Sequence, residues 1–361
     1  MTVAAGDLAR ATYEAGHEGA ILVDGGRRPR LRMAGSARAA FLHRITTGDI
    51  KALNPGLAAP TLLITGKGRL IDRLTVLCRD EDLLVVGSAD AGPVPGDVLR
   101  RYVVFDDVQI SDLAETTCLL EVHGPRAAAV LTAAGCKVTE HAPDENQGAG
   151  PPWEHGLAEL GGVQATVSRN VGLNGPAWWI LAAAADHARL SAHLHAAGAD
   201  LGLVTADADG WEVLQVEAGL VRSGHEVSED WNPLEMRQED ALSFDKGCYV
   251  GQEVMARLRT YDRVKRRLWR VTFAGAEPPT AGSAIHGAPG DGTITSAAVI
   301  PGEDRCVVLA VLPGDDPAPG GELTARIQGV ERQGEIVGPP PTAADMRVAP
   351  PESIGKRRFG D

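Results

Sequence analysis

Apolar positions alternate with polar or small ones over residues 20–33, broken at Gly25-Gly26, and this two-residue period predicts a β-hairpin. The period then lengthens. Ser36 stands where a helix N-cap would, and Phe41, Leu42 and Ile45 follow at helical spacing before Gly48. Strands are predicted over 61–64 and 70–78, joined by the turn Thr65-Gly66-Lys67-Gly68-Arg69, and again over 83–86. Pro93, Pro95 and Gly96 confine the next helix to about 96–101. Strands at 108–110 and 117–122 lead to Gly124-Pro125, which opens a helix with proline in its first position and closes near Gly135. Residues 141–152 read as a polar loop, 163–169 and 178–181 as strands, and Asp186 as the cap of a helix ending at Gly198. A helix over 209–218 places Trp211, Leu214 and Ala218 on one face. Beyond Arg267 come short strands (268–273, 293–300, 306–311, 322–327) separated by Gly/Pro turns, the pattern of a small β-barrel. The expected division is an α+β core over 1–265, a barrel over 266–335 and a mobile tail over 336–361.

Composition bounds the function. A chain of 361 residues with 44% apolar and 23% charged residues matches a soluble globular protein of two or three domains. No run approaches the roughly 20 apolar residues of a membrane span, and residues 1–10 lack the layout of a signal peptide, so the expected location is the cytoplasm. A net charge of −13 argues against nucleic acid as a main partner, although a local basic patch over 263–270 suits an anion. Five widely spaced cysteines without a Cys-x-x-Cys pair fit reduced thiols and neither a disulfide framework nor a zinc site. His193 and His195, two apart on a helix, point to different faces, so no metal site is expected.

The chemistry concentrates in residues 242–257. Lys246, Gly247, Cys248, Tyr249, Gly251, Gln252 and Glu253 put a cation, a thiol, a phenol, an amide and a carboxylate on one glycine-punctuated connection, between an extended run ending at Phe244 and a helix starting near Glu253. A thiol two residues from Lys246 and close to a helix N-terminus has two influences that favour thiolate. The same residues would also make an ordinary tight turn with a partly buried cysteine.

Lys-Gly-Cys-Tyr-x-Gly-Gln-Glu followed by Ala256-Arg257 resembles the signature of the YgfZ family of folate-binding proteins, relatives of the glycine-cleavage aminomethyltransferase that support iron–sulfur protein maturation. Further segments carry the likeness: Ala39 to Leu42 with Thr46 to Asp49, Gly66-Lys67-Gly68-Arg69 and the strand after it, Arg101 to Phe105, Val216 to Gly219, and Gly292 to Ser296. The resemblance covers about residues 18–335. It implies three domains in a clover leaf, the first two interleaved around a folate channel and the third a barrel. It also implies tetrahydrofolate or a one-carbon derivative as cofactor, with iron–sulfur client or scaffold proteins as partners. Cys248 and Lys246 become the chemically active candidates. Glu217 is the expected acceptor for the paired N–H donors of a pterin; on residues alone it is equally a solvated glutamate on an amphipathic helix. Lys67 and Arg69 suit an anionic folate tail, or are simply a polar turn. Tyr102 and Phe105 suit stacking on a ring, or the core. Asp72, Tyr249, Gln252, Glu253 and Arg257 complete the candidate set.

Two departures bear on activity. Aminomethyltransferases usually carry adjacent aspartates in the strand after the Gly66–Arg69 turn, whereas here Asp72 is followed by Arg73. The arginine common two residues before the pterin glutamate is Gln215 here. Three readings stand: a folate-binding maturation factor, a tetrahydrofolate-dependent one-carbon transferase, and a folate-independent thiol enzyme using Cys248.

Overall fold

The computed structural model describes residues 5–136, 153–173, 175–287, 290–314 and 319–341. The expected loop over 141–152 and residues 342–361 of the expected tail lie outside them.

The chain opens with helix α1 (Ala5–Glu18), whose Ala9, Thr12 and Gly16 are buried at helical spacing. Gly16 is where Leu214 arrives: a Cβ there would stand 2.6 Å from the leucine side chain. Strands β1 (Ala20–Asp24) and β2 (Arg30–Ala34) follow. The expected hairpin over 20–33 does not form, because β1 pairs with distant strands on both edges and β2 with two others. A two-residue hairpin turn needs a positive φ, which neither Gly25 nor Gly26 adopts. Helix α2 (Arg38–Ile45) starts after Ala37, so Ser36 is not its cap; the Ser36 hydroxyl and amide both donate to Asp107.

Strands β3 (Leu57–Ile64), β4 (Leu70–Cys78) and β5 (Leu83–Val86) lie near their predicted places. Helix α3 (Val94–Tyr102) is longer than expected, since Pro93 precedes it as the N-cap and Pro95 sits in its first turn, where a missing N–H costs nothing. Then come β6 (Gln109–Asp112), β7 (Thr117–His123) and α4 (Ala127–Ala133), with Pro125 just outside the helix it was expected to begin. Strand β8 (Trp153–Leu160) has no counterpart among the expected elements; β9 (Val163–Val171) and β10 (Pro176–Ala183) do. Helix α5 (His187–Gly198) follows Asp186, whose side chain makes no capping bond. Strand β11 (Leu203–Thr205) leads to α6 (Ala208–Ala218), properly capped: the Asp207 carboxylate accepts from the Asp209 and Gly210 amides. After a long irregular connection, α7 (Gln252–Thr260) precedes the barrel strands β12 (Arg266–Ala274), β13 (Ala284–Gly287), β14 (Gly292–Val299), β15 (Arg305–Pro313), β16 (Glu322–Ile327) and β17 (Val330–Gly338). No strand ends at Phe244, as the extended run before the motif predicts. Residues 336–338, assigned to the tail by composition, complete β17.

Among the described residues the first eleven strands form one sheet, ordered β11-β1-β7-β10-β9-β8-β3-β4-β5-β2-β6. Its halves join where Leu57 and Ala58 pair with Glu154 and Trp153. Helices α4 and α5 cover the outer face of one half and α2 and α3 that of the other. The inner faces pack on each other through Leu77, Leu84 and Val86 against Leu119, Trp179 and Leu181. The barrel closes in the order β12-β15-β14-β13-β16-β17 around Trp269, Phe273, Ile294 and Ile336. Along β12, Trp269, Val271 and Phe273 point into the barrel, while Arg266, Leu268 and Arg270 alternate outward toward the core. Ser296 on β14 also faces the core, donating to Glu226 at 2.6 Å and accepting from Arg222 at 3.0 Å. Among the described residues no helix is long and apolar enough to cross a membrane.

Candidate functional site

Glu217 lies in the last turn of α6, which ends at Gly219 with φ +70°. That turn brings the carboxylate, 5% exposed, against α1. Tyr13 donates to Oε1 at 3.1 Å and His17 Nε2 lies 2.9 Å from Oε2. Burial works against a charged His17, but its hydrogen bond and attraction to Glu217 outweigh that and raise its pKa above 6.5. Burial, reinforced by Glu217, pushes Tyr13 upward. Arg270 on β12 donates to the Glu217 carbonyl at 3.2 Å. Glu217 and Arg270 border a cleft of about 280 Å³ between the end of α6 and the barrel, walled further by Thr272, Ile300, Val307 and Ile336.

A second cleft, of about 410 Å³, shares no lining residue with the first. Lys67 and Arg69 enter it from the β3–β4 turn, Val254 and Leu258 from α7, and Arg263, Lys265 and Arg266 from the segment leading into β12. Glu235 is bridged there by Arg266 at 2.7 Å and Arg69 at 3.6 Å. Lys67 and Arg69 are thus open to an anion, but in a different cleft from Glu217.

A third polar group is closed inside the sheet. Glu121 on β7 accepts from Arg28 at 2.5 and 3.3 Å, from Trp179 at 3.0 Å and lies 3.2 Å from His123 Nε2. Burial alone would raise its pKa; Arg28 above all, with His123, reverses this and holds it at about 2. Asp72 on β4 is fully buried, and burial pushes it up to about 6 although the Ser88 and Arg73 amides and Arg28 pull the other way. The neighbouring Arg73 is committed outward, bidentate to Asp240 at 2.7 and 3.0 Å and bonded to Gln238 at 2.6 Å.

The Lys246–Glu253 stretch divides by depth. The Lys246 ammonium is buried and donates to the carbonyls of His43, Thr46 and Gly48 at 2.6, 2.5 and 2.7 Å, over the Tyr249 ring. It therefore closes the C-terminal end of α2, as a cation should. Burial pushes its pKa down to about 7, Asp49 opposing, while three accepting carbonyls hold the charged form. Tyr249 is buried, its hydroxyl without a partner among the described residues, and burial raises its pKa to about 12. Cys248 is exposed, whereas Cys78, Cys118, Cys136 and Cys306 are buried. Helix α7 begins only at Gln252, capped by Gly251 at φ +80°, and among the described residues no hydrogen bond or ion pair joins Cys248 to Lys246. Glu253 and Arg257 form a surface pair at 2.8 Å. Tyr102, at the end of α3, is 39% exposed and Phe105 is 99% exposed, so neither is in the core nor lines either cleft.

Tyr13, His17 and Arg270 around Glu217, and Arg28, Glu121 and His123 in the sheet, were not foreseen. Glu121 and His123 had a signal: charge inside an otherwise apolar strand. Among the described residues no cluster of three or more His, Cys, Asp or Glu side chains could hold a metal ion.

The fold matches that of a known enzyme. The glycine cleavage system aminomethyltransferase T of Bartonella henselae superposes with a TM-score of 0.75, at 18% identity, over 92% of this chain and 89% of that one. The expected aminomethyltransferase-like architecture with its C-terminal barrel is therefore the observed one. Residues 5–246 match the GCVT N-terminal domain family, and the chain belongs to that family. An aminomethyltransferase of Chloroherpeton thalassium is 26% identical over 293 residues, covering 80% of this chain and 78% of that protein. A chloroplastic protein of Arabidopsis thaliana named as a transferase is 28% identical over 274 residues, 74% of this chain; the match spans only 60% of that relative's length.

Proposed function

We propose that this protein binds tetrahydrofolate, or a one-carbon derivative of it, and serves the maturation or repair of iron–sulfur enzymes rather than aminomethyl transfer. The observation that carries folate binding is Glu217, a carboxylate almost excluded from water at the wall of a cleft. Its present partners are a phenol and an imidazole, and a pterin's adjacent N–H donors could share or replace them. The cleft, at about 280 Å³, is at the small end of ligand pockets and suits a bicyclic ring, not a whole folate. Bound folate would supply a one-carbon carrier; the chain's own part is to orient the pterin through Glu217.

Against transfer chemistry stands Arg73, tied to Asp240 where the resemblance implies a second aspartate, beside an Asp72 enclosed by protein. The iron–sulfur role rests on the Lys-Gly-Cys-Tyr-x-Gly-Gln-Glu motif. In support of a partner-facing role, Cys248 is the exposed cysteine of the chain.

Ligand at a hundredfold excess over Kd stabilises a native state by about 2.7 kcal/mol, so tetrahydrofolate should raise the melting temperature by several degrees. No shift would remove the folate reading. Tetrahydrofolate supplied with an aminomethylated lipoyl carrier should yield no methylene-folate; turnover would establish the transferase instead. In cells lacking the protein, iron–sulfur enzyme activity should fall and return with the wild-type chain but not with Cys248→Ala. Unchanged activity would end the maturation role.

A further inference from the structure

We infer that the cleft between the Thr65–Arg69 turn, α7 and the approach to β12 is a docking site for an acidic peptide segment of a partner protein. Five cationic side chains, Lys67, Arg69, Arg263, Lys265 and Arg266, surround one carboxylate, Glu235, in a chain whose net charge is −13. Glu235 is already shared by Arg69 and Arg266, and these two guanidinium groups also reach the Asp230 carbonyl. That leaves Lys67, Arg263 and Lys265, all exposed and without a carboxylate partner among the described residues. Such a concentration of one sign in a concave site focuses the field on its mouth.

Ligand class follows from the walls. Val254 and Leu258, one turn apart on α7, supply an apolar strip beside the cations. A run of Glu or Asp side chains presents carboxylates to lysine and arginine and its methylenes to that strip. The pairing of Glu235 with Arg69 and Arg266 already displays carboxylate recognition in this cleft. The net charge of −13 repels an acidic partner at long range, but at physiological salt that repulsion decays over about 8 Å. The cations gathered in this cleft then hold the segment, which gives the contact its orientation. The cleft shares no lining residue with the one at Glu217, so peptide docking and ligand binding at Glu217 are separate events.

Fluorescence polarisation of a labelled α-linked hexaglutamate against the full chain tests the assignment. Binding should weaken steeply with added sodium chloride and fall about tenfold or more in Lys67→Glu/Lys265→Glu, with Arg263→Glu as an independent second variant. Both variants change exposed residues and should keep the wild-type circular dichroism and melting temperature. Wild-type affinity in both variants, or no binding in low salt, overturns the proposal. So does full competition by inorganic phosphate or by a short RNA at concentrations where free glutamate has no effect, since the cleft would then be a phosphate site.

Discussion

Glu121 in β7 and Glu217 in α6 are both nearly excluded from water, at 2% and 5% exposure, yet they are held in different ways. Glu121 is saturated: a guanidinium, an indole and an imidazole occupy its oxygens, and it lines neither of the two clefts. Glu217 has one phenol and one imidazole, and the residue lines a cleft. The first arrangement ties together strands and loops from both ends of a folded-over sheet. The second keeps a carboxylate dry while leaving room for another donor. Burial of a charge, taken alone, does not distinguish a strut from a binding group; the number and kind of its donors, and what lies on its open side, do.

The comparison breaks most visibly through Arg28. In Arg28→Met, Glu121 keeps its burial and loses its cation, which should cost about 3–5 kcal/mol in denaturant unfolding. Tetrahydrofolate affinity of the folded fraction should be unchanged. A loss under about 1 kcal/mol would mean that Glu121 is not the strut described here.

Acid titration sharpens the same contrast between Glu121 and its neighbour Asp72. Glu121 is lowered from 4.5 to about 2, so its contribution is present above pH 4.5 and is lost as pH falls toward 2. Asp72 is raised from 3.8 to about 6, so the native state holds the proton more tightly, and stability from this group is full below pH 3.8 and declines as pH rises to 6. Each effect is on the order of 3 kcal/mol. Glu121→Gln should flatten the acid limb, and Asp72→Asn should abolish the decline between pH 4 and 6. Identical pH profiles for either variant and the wild type would contradict the assignment.

Lys246→Met should cost roughly 1.5–3 kcal/mol, because three carbonyls at the end of α2 lose a charged donor. Iodoacetamide should still modify Cys248 first, at a rate within about twofold of wild type. A much slower reaction in a folded variant would give Lys246 a chemical role at the thiol in place of a structural one.

The hydrophobic pattern made most strands and the presence of the barrel legible, because alternation and Gly/Pro turns are local properties; the barrel strands β13 and β17 were not expected. Pairing was not: β1 and β2, a few residues apart, go to opposite halves of the sheet, a choice made by partners such as Leu203 and Val86. Helix α1 was overlooked although its Tyr13 and His17 are one turn apart, and β8 was missed next to undescribed residues. At the candidate site, Glu217 was identified by resemblance, but its partners lie 204 and 200 residues away, beyond any local signal. The Lys246–Glu253 motif pointed to one cluster, whereas the fold buries Lys246 and Tyr249 and displays Cys248. Alternate exposure along an irregular turn has no sequence period to betray it.

Calorimetric titration of tetrahydrofolate into the wild-type protein and Glu217→Gln tests the central claim. The amide keeps the volume and an acceptor for Tyr13, so the variant should fold with a loss of about 1 kcal/mol or less, while Kd rises roughly ten- to a hundredfold, the 1.5–3 kcal/mol of a charged hydrogen bond. An unchanged Kd in a variant that unfolds like the wild type would place the pterin elsewhere and leave Glu217 as a partner of α1 alone.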